Sequence, residues 1–166
     1  MIFTDTHTHL YSEEFESDQA EMMQRAIENG VQKLFVPSID SSYTEKMYDL
    51  KNKYPENVHL MMGLHPCYVK TETYLDESTL AIQQEAFQKQ IQLAKKHKLP
   101  INIHCRDAFD EVFEVLEKEK GDDLFGIFHC FSGNLEQAQK AISYNLKLGI
   151  GGVVTFKNGK VDQFIN

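Results

Sequence analysis

The sequence is poor in cysteine and has neither a long apolar run nor an excess of positive charge. Its three cysteines are odd in number and show no C-x-x-C spacing, which argues against a disulfide framework and a zinc ribbon. Two of them, Cys105 and Cys130, are predicted to be buried free thiols. No apolar stretch approaches the roughly 18 residues of a membrane span, and the first residues lack a basic region followed by an apolar one. These absences predict a cytoplasmic protein.

The charge balance is acidic. Seventeen basic residues against twenty-five acidic ones give a net charge of −8. Broad electrostatic adhesion to duplex nucleic acid or to an anionic membrane is therefore not expected, and any polyanion must be gripped locally. The 166 residues are 42% hydrophobic and 25% charged, a composition typical of one globular core. We predict a single domain over residues 1–166.

Strand-like apolar runs alternate with segments of helical period along the whole chain, as in parallel β/α units. The six predicted strands span residues 2–7, 33–37, 58–63, 100–104, 126–130 and 146–154. Apolar stripes predict helices around residues 87–94, 109–116 and 135–142, and Asn134 followed by Gln137 predicts a capped start for the last of them. This order favours an α/β barrel, in which the carboxyl ends of the strands carry the active site.

Four histidines fall at predicted strand ends. Asp5, His7 and His9 share one face where the first strand ends, because successive strand residues point to opposite sides. His104 and His129 end two later strands, so all four imidazoles are expected at the same open end of the sheet. Imidazole suits zinc, iron, nickel and copper, whereas magnesium and calcium prefer oxygen. The alternative for any single histidine is a structural role with local hydrogen bonds.

Three further residues are weaker candidates for binding a substrate. His65 follows a predicted strand and is placed either against a substrate phosphate or in a structural role. Arg106 suits a bidentate grip on a phosphate, and its alternative is an exposed, solvated side chain. Ser132 precedes a predicted helix, whose first amides can bind an anion. His59 and His97 are assigned to structure.

These segments together resemble the TatD family of metal-dependent deoxyribonucleases. The matching stretches are residues 5–10 (DTHTHL), 63–66 (GLHP), 84–94, 99–108, 129–133 (HCFSG) and 151–157. The resemblance implies a (β/α)8 TIM-type barrel and two divalent ions, Mg, Zn or Mn, one bound by His7 and His9 and the other by His104 and His129. It further implies hydrolysis of phosphodiester bonds at DNA ends, or in another small phosphodiester, by a metal-activated water. No obligate protein partner is expected.

The departures from the family concern acidic ligands. Family members carry a bridging glutamate on the fourth strand and an aspartate on the eighth, and neither has a counterpart here, so no catalytic residue is identified. Successive strand ends are 28, 28, 39 and 25 residues apart, at His9, Pro37, His65, His104 and His129. A gap of 39 is too long for one β/α unit and too short for two. We therefore predict a barrel that lacks its fourth and eighth strand segments, with a junction between Lys70 and Leu75.

Two explanations of this junction stay open. Either the numbering runs across a missing stretch of a longer protein, or the segment is truly deleted. The first is favoured because an open barrel exposes unpaired strand edges and apolar surface, and a Cα–Cα distance well beyond 3.8 Å in that stretch would confirm it. Two other functions also stay open: hydrolysis of a small amide, ester or phosphate, and a metal-binding fragment without activity.

Overall fold

The computed structural model describes residues 1–69, 77–156 and 161. The chain divides into two compact units, Met1–Tyr68 and Val69–Asn166, each built from parallel β/α units. The predicted junction between Lys70 and Leu75 lies outside the described residues, next to the boundary between the units. The single domain over residues 1–166 stays a prediction.

The first unit is a three-stranded parallel sheet in the order β1-β2-β3, and a helix follows each of the first two strands along the chain. Its elements are β1 (Phe3–Asp5), α1 (Gln19–Glu28), β2 (Val31–Pro37), α2 (Thr44–Lys53) and β3 (Val58–Met61), with 3₁₀ turns at Glu13–Phe15, Ser41–Tyr43 and Pro66–Tyr68. Leu34 and Val36 alternate along β2 and are buried, as the strand period requires. They pack in one cluster with the helix residues Met23, Met47 and Leu50.

β1 is shorter than predicted. It ends at Asp5, whose Oδ1 accepts the backbone N–H of His7 at 3.0 Å, a side-chain turn that competes with the strand ladder. The N–H of Thr8 still donates to the carbonyl of Phe35 on β2, at 3.0 Å. The predicted strand over residues 2–7 is therefore wrong at its end, and His7 and His9 lie on a loop held against β2.

The second unit is a parallel sheet in the order β4-β5-β6. Its elements are α3 (Glu77–His97), β4 (Ile101–His104), α4 (Phe109–Glu119), β5 (Gly126–His129), α5 (Leu135–Ser143), β6 (Leu146–Leu148) and a 3₁₀ turn at Gly152–Thr155. The core is largely aromatic, with Phe109, Phe113, Phe128 and Phe131 in mutual ring contact. This core lies on the side of β4 and β5 opposite to the half-buried His104 and His129, since Ile103 and Phe128 alternate with them.

The three predicted helices are confirmed, but the apolar stripe that predicts α5 is only partly buried. Ala138 and Ala141 are buried, but Leu135 and Ile142 are 51% and 59% exposed. At 100° per residue, these two lie roughly a quarter turn away from the centre of the buried face, so they flank it. The capped start is present: Asn134 accepts the N–H of Gln137 at 2.9 Å, and the Gln137 side chain accepts the N–H of Asn134 at 2.9 Å.

The predicted last strand over residues 146–154 is too long. Pairing with β5 continues through Gly149, whose N–H donates to the carbonyl of Phe128 at 2.8 Å. The chain then leaves the sheet and forms the 3₁₀ turn at Gly152–Thr155. Within the described part of the chain, no helix has the length and apolar content to cross a membrane.

Candidate metal centre

His7 and His9 are brought together in the first unit. Their Nε2 atoms are 3.0 Å apart, and their rings meet edge to face with centroids separated by 4.9 Å. Two nitrogen ligands at about 2.0–2.1 Å from one ion, with an angle of roughly 90–110° between them, would be about 2.9–3.4 Å apart. The observed separation therefore fits two donors to a single ion.

The other nitrogen of His9 is held by a buried tyrosine. His9 Nδ1 lies 2.8 Å from the hydroxyl of Tyr11, and that hydroxyl donates to the carbonyl of Pro37 at 2.7 Å. Burial lowers the pKa of His9 below its ordinary value, and a hydrogen bond with the Pro37 backbone opposes this shift. The net direction favours the neutral imidazole, which is the form that binds a metal ion.

His104 and His129 form the corresponding pair in the second unit. They are the last residues of β4 and β5 and stand opposite each other in the parallel register. Their rings are 5.9 Å apart between centroids and tilted by 31°, and both are half-buried. The sequence thus correctly places these two imidazoles side by side, because strand ends in register bring equivalent residues together.

Each unit contains one pair of neighbouring imidazoles. In neither unit do the described residues gather three or more His, Cys, Asp or Glu side chains in one metal-binding group. The assignment of His7, His9, His104 and His129 as metal ligands stays a prediction.

His65 lies just before the 3₁₀ turn at Pro66–Tyr68. Its backbone N–H donates to the carbonyl of Ile39 at 2.9 Å, and its Nδ1 accepts the N–H of Cys67 at 3.3 Å. These bonds fix the ring beside the segment that follows β2. A contact with substrate phosphate stays a prediction for this residue.

Arg106 is exposed, two residues beyond the end of β4. No carboxylate among the described residues lies within 4.0 Å of its guanidinium. The next residue, Asp107, has φ 57°, a left-handed conformation that turns the chain towards α4. The guanidinium is thus placed near a strand end without an ion pair to the described acidic residues.

Ser132 borders a polar pocket of about 310 Å³. Its lining includes residues at the start of α5 and the carboxylate residues Asp107, Asp110 and Glu111. The capping box already occupies the amides of Asn134 and Gln137. Sequence reasoning missed these three carboxylates, which oppose a phosphate at Ser132, although their density just after Arg106 was a visible signal.

Tyr11 is the other residue that sequence reasoning missed. An aromatic residue two positions after a histidine reads as core, and Tyr11 is indeed buried among apolar side chains. Only the structure shows that its hydroxyl reaches back to His9.

Comparison with known proteins places the chain among metal-dependent hydrolases. A family model described as TatD related DNase matches residues 4–77 and 72–165. A protein of Bacillus subtilis called an uncharacterized metal-dependent hydrolase is 32% identical, over 96% of this chain and 72% of that relative. A protein of Pectobacterium parmentieri called 3'-5' ssDNA/RNA exonuclease TatD is 26% identical, over 90% of this chain and 68% of its own length.

The fold is similar to that of two solved structures. A TatD homolog of Escherichia coli superposes with a TM-score of 0.85 at 25% identity, over 97% of this chain and 73% of that one. A TatD family hydrolase of Entamoeba histolytica gives a TM-score of 0.72 at 20% identity, over 90% and 65%. The predicted fold class, an incomplete α/β barrel of TIM type, is confirmed by this likeness.

The comparisons also locate a break in the match. The alignment with the Bacillus subtilis protein runs over 186 positions, more than the 166 residues of the chain, so that relative carries residues without a counterpart here. The two segments matched by the family model meet at residues 72–77. This meeting point overlaps the predicted junction between Lys70 and Leu75.

Proposed function

The chain belongs to the family of TatD-related DNases, whose members are metal-dependent hydrolases, and from this premise we propose that it removes nucleotides from DNA ends. The observation that carries the proposal is the pairing of imidazoles at the carboxyl ends of parallel strands. His7 and His9 form one pair and His104 and His129 the other. The relative named as a 3'-5' exonuclease supports attack at the 3' end of a single strand.

The proposed activity uses two divalent ions, one bound by each unit. When bound, such ions would supply a water of lowered pKa and neutralise charge that develops on the phosphoryl group. His7 and His9 would hold one ion and His104 and His129 the other. Mg, Zn and Mn are all candidates, although the nitrogen donors favour Zn over Mg.

The chain's own residues would position the strand end. The Arg106 guanidinium, which pairs with no described carboxylate, would donate two hydrogen bonds to a phosphate. His65, in the first unit, would contact a substrate phosphate through its imidazole. Ser132 would be the weakest of these contacts because acidic residues share its pocket.

We propose a cytoplasmic enzyme, and its acidic net charge is compatible with binding at the ends of DNA strands. With a charge of −8, the protein offers no long basic track for duplex DNA. A chain end can be held by the ions and a few donors, so this charge is compatible with exonuclease action and opposes extended duplex binding.

The test is an assay on 3'-labelled single-stranded and double-stranded DNA with added Mg, Zn or Mn, run beside simple esters and amides. The proposal expects release of mononucleotides, with loss of activity in His7→Ala and His104→Ala. No release from either strand type would overturn it, and turnover of the small substrates would instead support a small-molecule hydrolase.

Calorimetric titration of the metal-free protein with Zn²⁺ distinguishes the proposed enzyme from a metal-binding fragment without activity. Two coupled sites are expected for the proposed enzyme. One weak site, together with no turnover of any substrate, would support a metal-binding fragment without activity.

A further inference from the structure

Tyr11 combines burial with a polar contact to a proposed metal ligand. The side chain is 2% exposed and belongs to the core of the first unit, together with Leu34 and Val36. Its ring meets that of His9 edge to face, with centroids 5.6 Å apart. A hydroxyl in such a place is costly unless it is hydrogen-bonded, so its partners are informative.

The hydrogen bonds around the Tyr11 hydroxyl determine which partner receives its hydrogen. The Pro37 carbonyl can only accept, so the single hydroxyl hydrogen of Tyr11 lies in the 2.7 Å bond to that oxygen. The hydroxyl oxygen must then accept from His9 Nδ1, 2.8 Å away.

From this chain of bonds we infer that Tyr11 is a positioning residue: it holds His9 as the Nδ1–H tautomer and leaves the Nε2 lone pair directed towards His7 and a shared metal ion. The inference rests on the proposed role of His9 as a ligand. A protonated Nδ1 with an oxygen acceptor is the arrangement that orients metal-binding imidazoles and raises their basicity. His7 Nε2 lies 3.0 Å from His9 Nε2, so this lone pair can also accept a hydrogen bond from a protonated His7 Nε2.

The chain offers a matched control in Tyr43. Its ring packs on that of Tyr11 with centroids 5.2 Å apart, and its hydroxyl donates to Glu13 at 3.3 Å. Tyr43→Phe therefore removes a hydroxyl from the same cluster without touching His9, whereas Tyr11→Phe removes the bond to His9 and keeps the ring.

The experiment is long-range ¹H–¹⁵N NMR of the histidine rings in the full chain, first metal-free and then titrated with Zn²⁺ alone. The wild-type protein and Tyr43→Phe should show His9 with a protonated Nδ1 and an unprotonated Nε2. Tyr11→Phe should show a mixture of tautomers, and the Zn²⁺ concentration that shifts the His9 resonances should rise about 10-fold or more. A purely structural tyrosine would change neither signal.

Two results would overturn the inference. One is a wild-type His9 protonated at Nε2 in the metal-free protein, which needs no variant and so does not depend on how Tyr11→Phe folds. The other is a folded Tyr11→Phe with wild-type tautomer and Zn²⁺ response. Since neither readout uses DNA, a protein that passes this test yet releases no nucleotide would contradict the proposed function alone.

Discussion

At the residue scale, His129 owes its position to an abrupt exit from β5. The next residue, Cys130, has φ 45°, a left-handed conformation that costs a non-glycine residue energy. Its Sγ lies over Gly151, where an added Cβ would be only 2.5 Å from the sulfur. The imidazole is therefore the last side chain that the strand itself orients, and the chain turns away directly beyond it.

We expect His129→Ala to lower kcat/KM for the labelled single strand by at least about 100-fold, because it removes one of the two nitrogen donors of its pair. The fold should persist, since the imidazole lies outside the apolar core and shortening it leaves no core cavity. Steady-state kinetics and circular dichroism check this. His97→Ala, in the exposed last turn of α3, is the control, and full activity of His129→Ala at saturating metal would contradict the assignment.

The cysteines differ in exposure and hence in reactivity. Cys105 is 7% exposed in the aromatic core, and burial raises its pKa to about 11, whereas Cys67 is exposed. The raised pKa keeps the Cys105 thiol protonated as pH rises from 7 to 9, and only thiolates react. Iodoacetamide with peptide mapping should therefore label the exposed Cys67 in the native protein and label Cys105 only after unfolding, at pH 7 and at pH 9 alike. Equal labelling in the native state would contradict the burial of Cys105.

At the element scale, the strands that lead to the histidines could be predicted because parallel β/α units repeat a simple pattern. Apolar alternation located β4 and β5, and their common register then placed His104 beside His129. The ends were less predictable. β1 stops where the Asp5 side chain competes for an amide, and β6 stops although β-branched residues follow.

What could not be predicted depends on contacts across the chain. The bond from Tyr11 to His9 requires the loop after β1 to bend back over the end of β2, where the Pro37 carbonyl lies. No local pattern in the sequence carries that information. The carboxylates near Ser132 likewise come from the first turn of α4 and from Asp107 just before it, and only the packing of this segment near the start of α5 brings them to one pocket.

The capping box of α5 gives a prediction at this scale. Asn134→Ala removes the acceptor of the Gln137 amide and should lower the free energy of unfolding by about 1 kcal/mol, measured by urea denaturation. Asn134→Ser keeps an oxygen at the cap and should lose less than half as much. Equal stability of the alanine variant and the wild type would show that the cap contributes nothing.

At the scale of the whole molecule, the net negative charge of the protein repels a nucleic acid, whereas bound metal ions would attract it. A net charge of −8 repels a phosphate backbone at long range, and this repulsion is screened over about 8–10 Å at physiological salt. Attraction has to come from the bound ions and from a few donors such as Arg106. Binding should thus involve one or two phosphates and should not follow the strand over a long track.

The salt dependence of KM tests this balance. For a single strand, log K changes with log[salt] by about −0.7 per phosphate neutralised, so one or two contacts predict a roughly three- to sevenfold rise in KM between 50 and 200 mM KCl. Arg106→Gln should flatten the slope by about 0.7, because it removes one such contact. The exposed Lys53, in the last turn of α2, provides a control in Lys53→Gln, which should leave the slope unchanged. A slope steeper than about −3 would mean that the protein follows the strand along many phosphates, and the end-gripping mode would then be wrong.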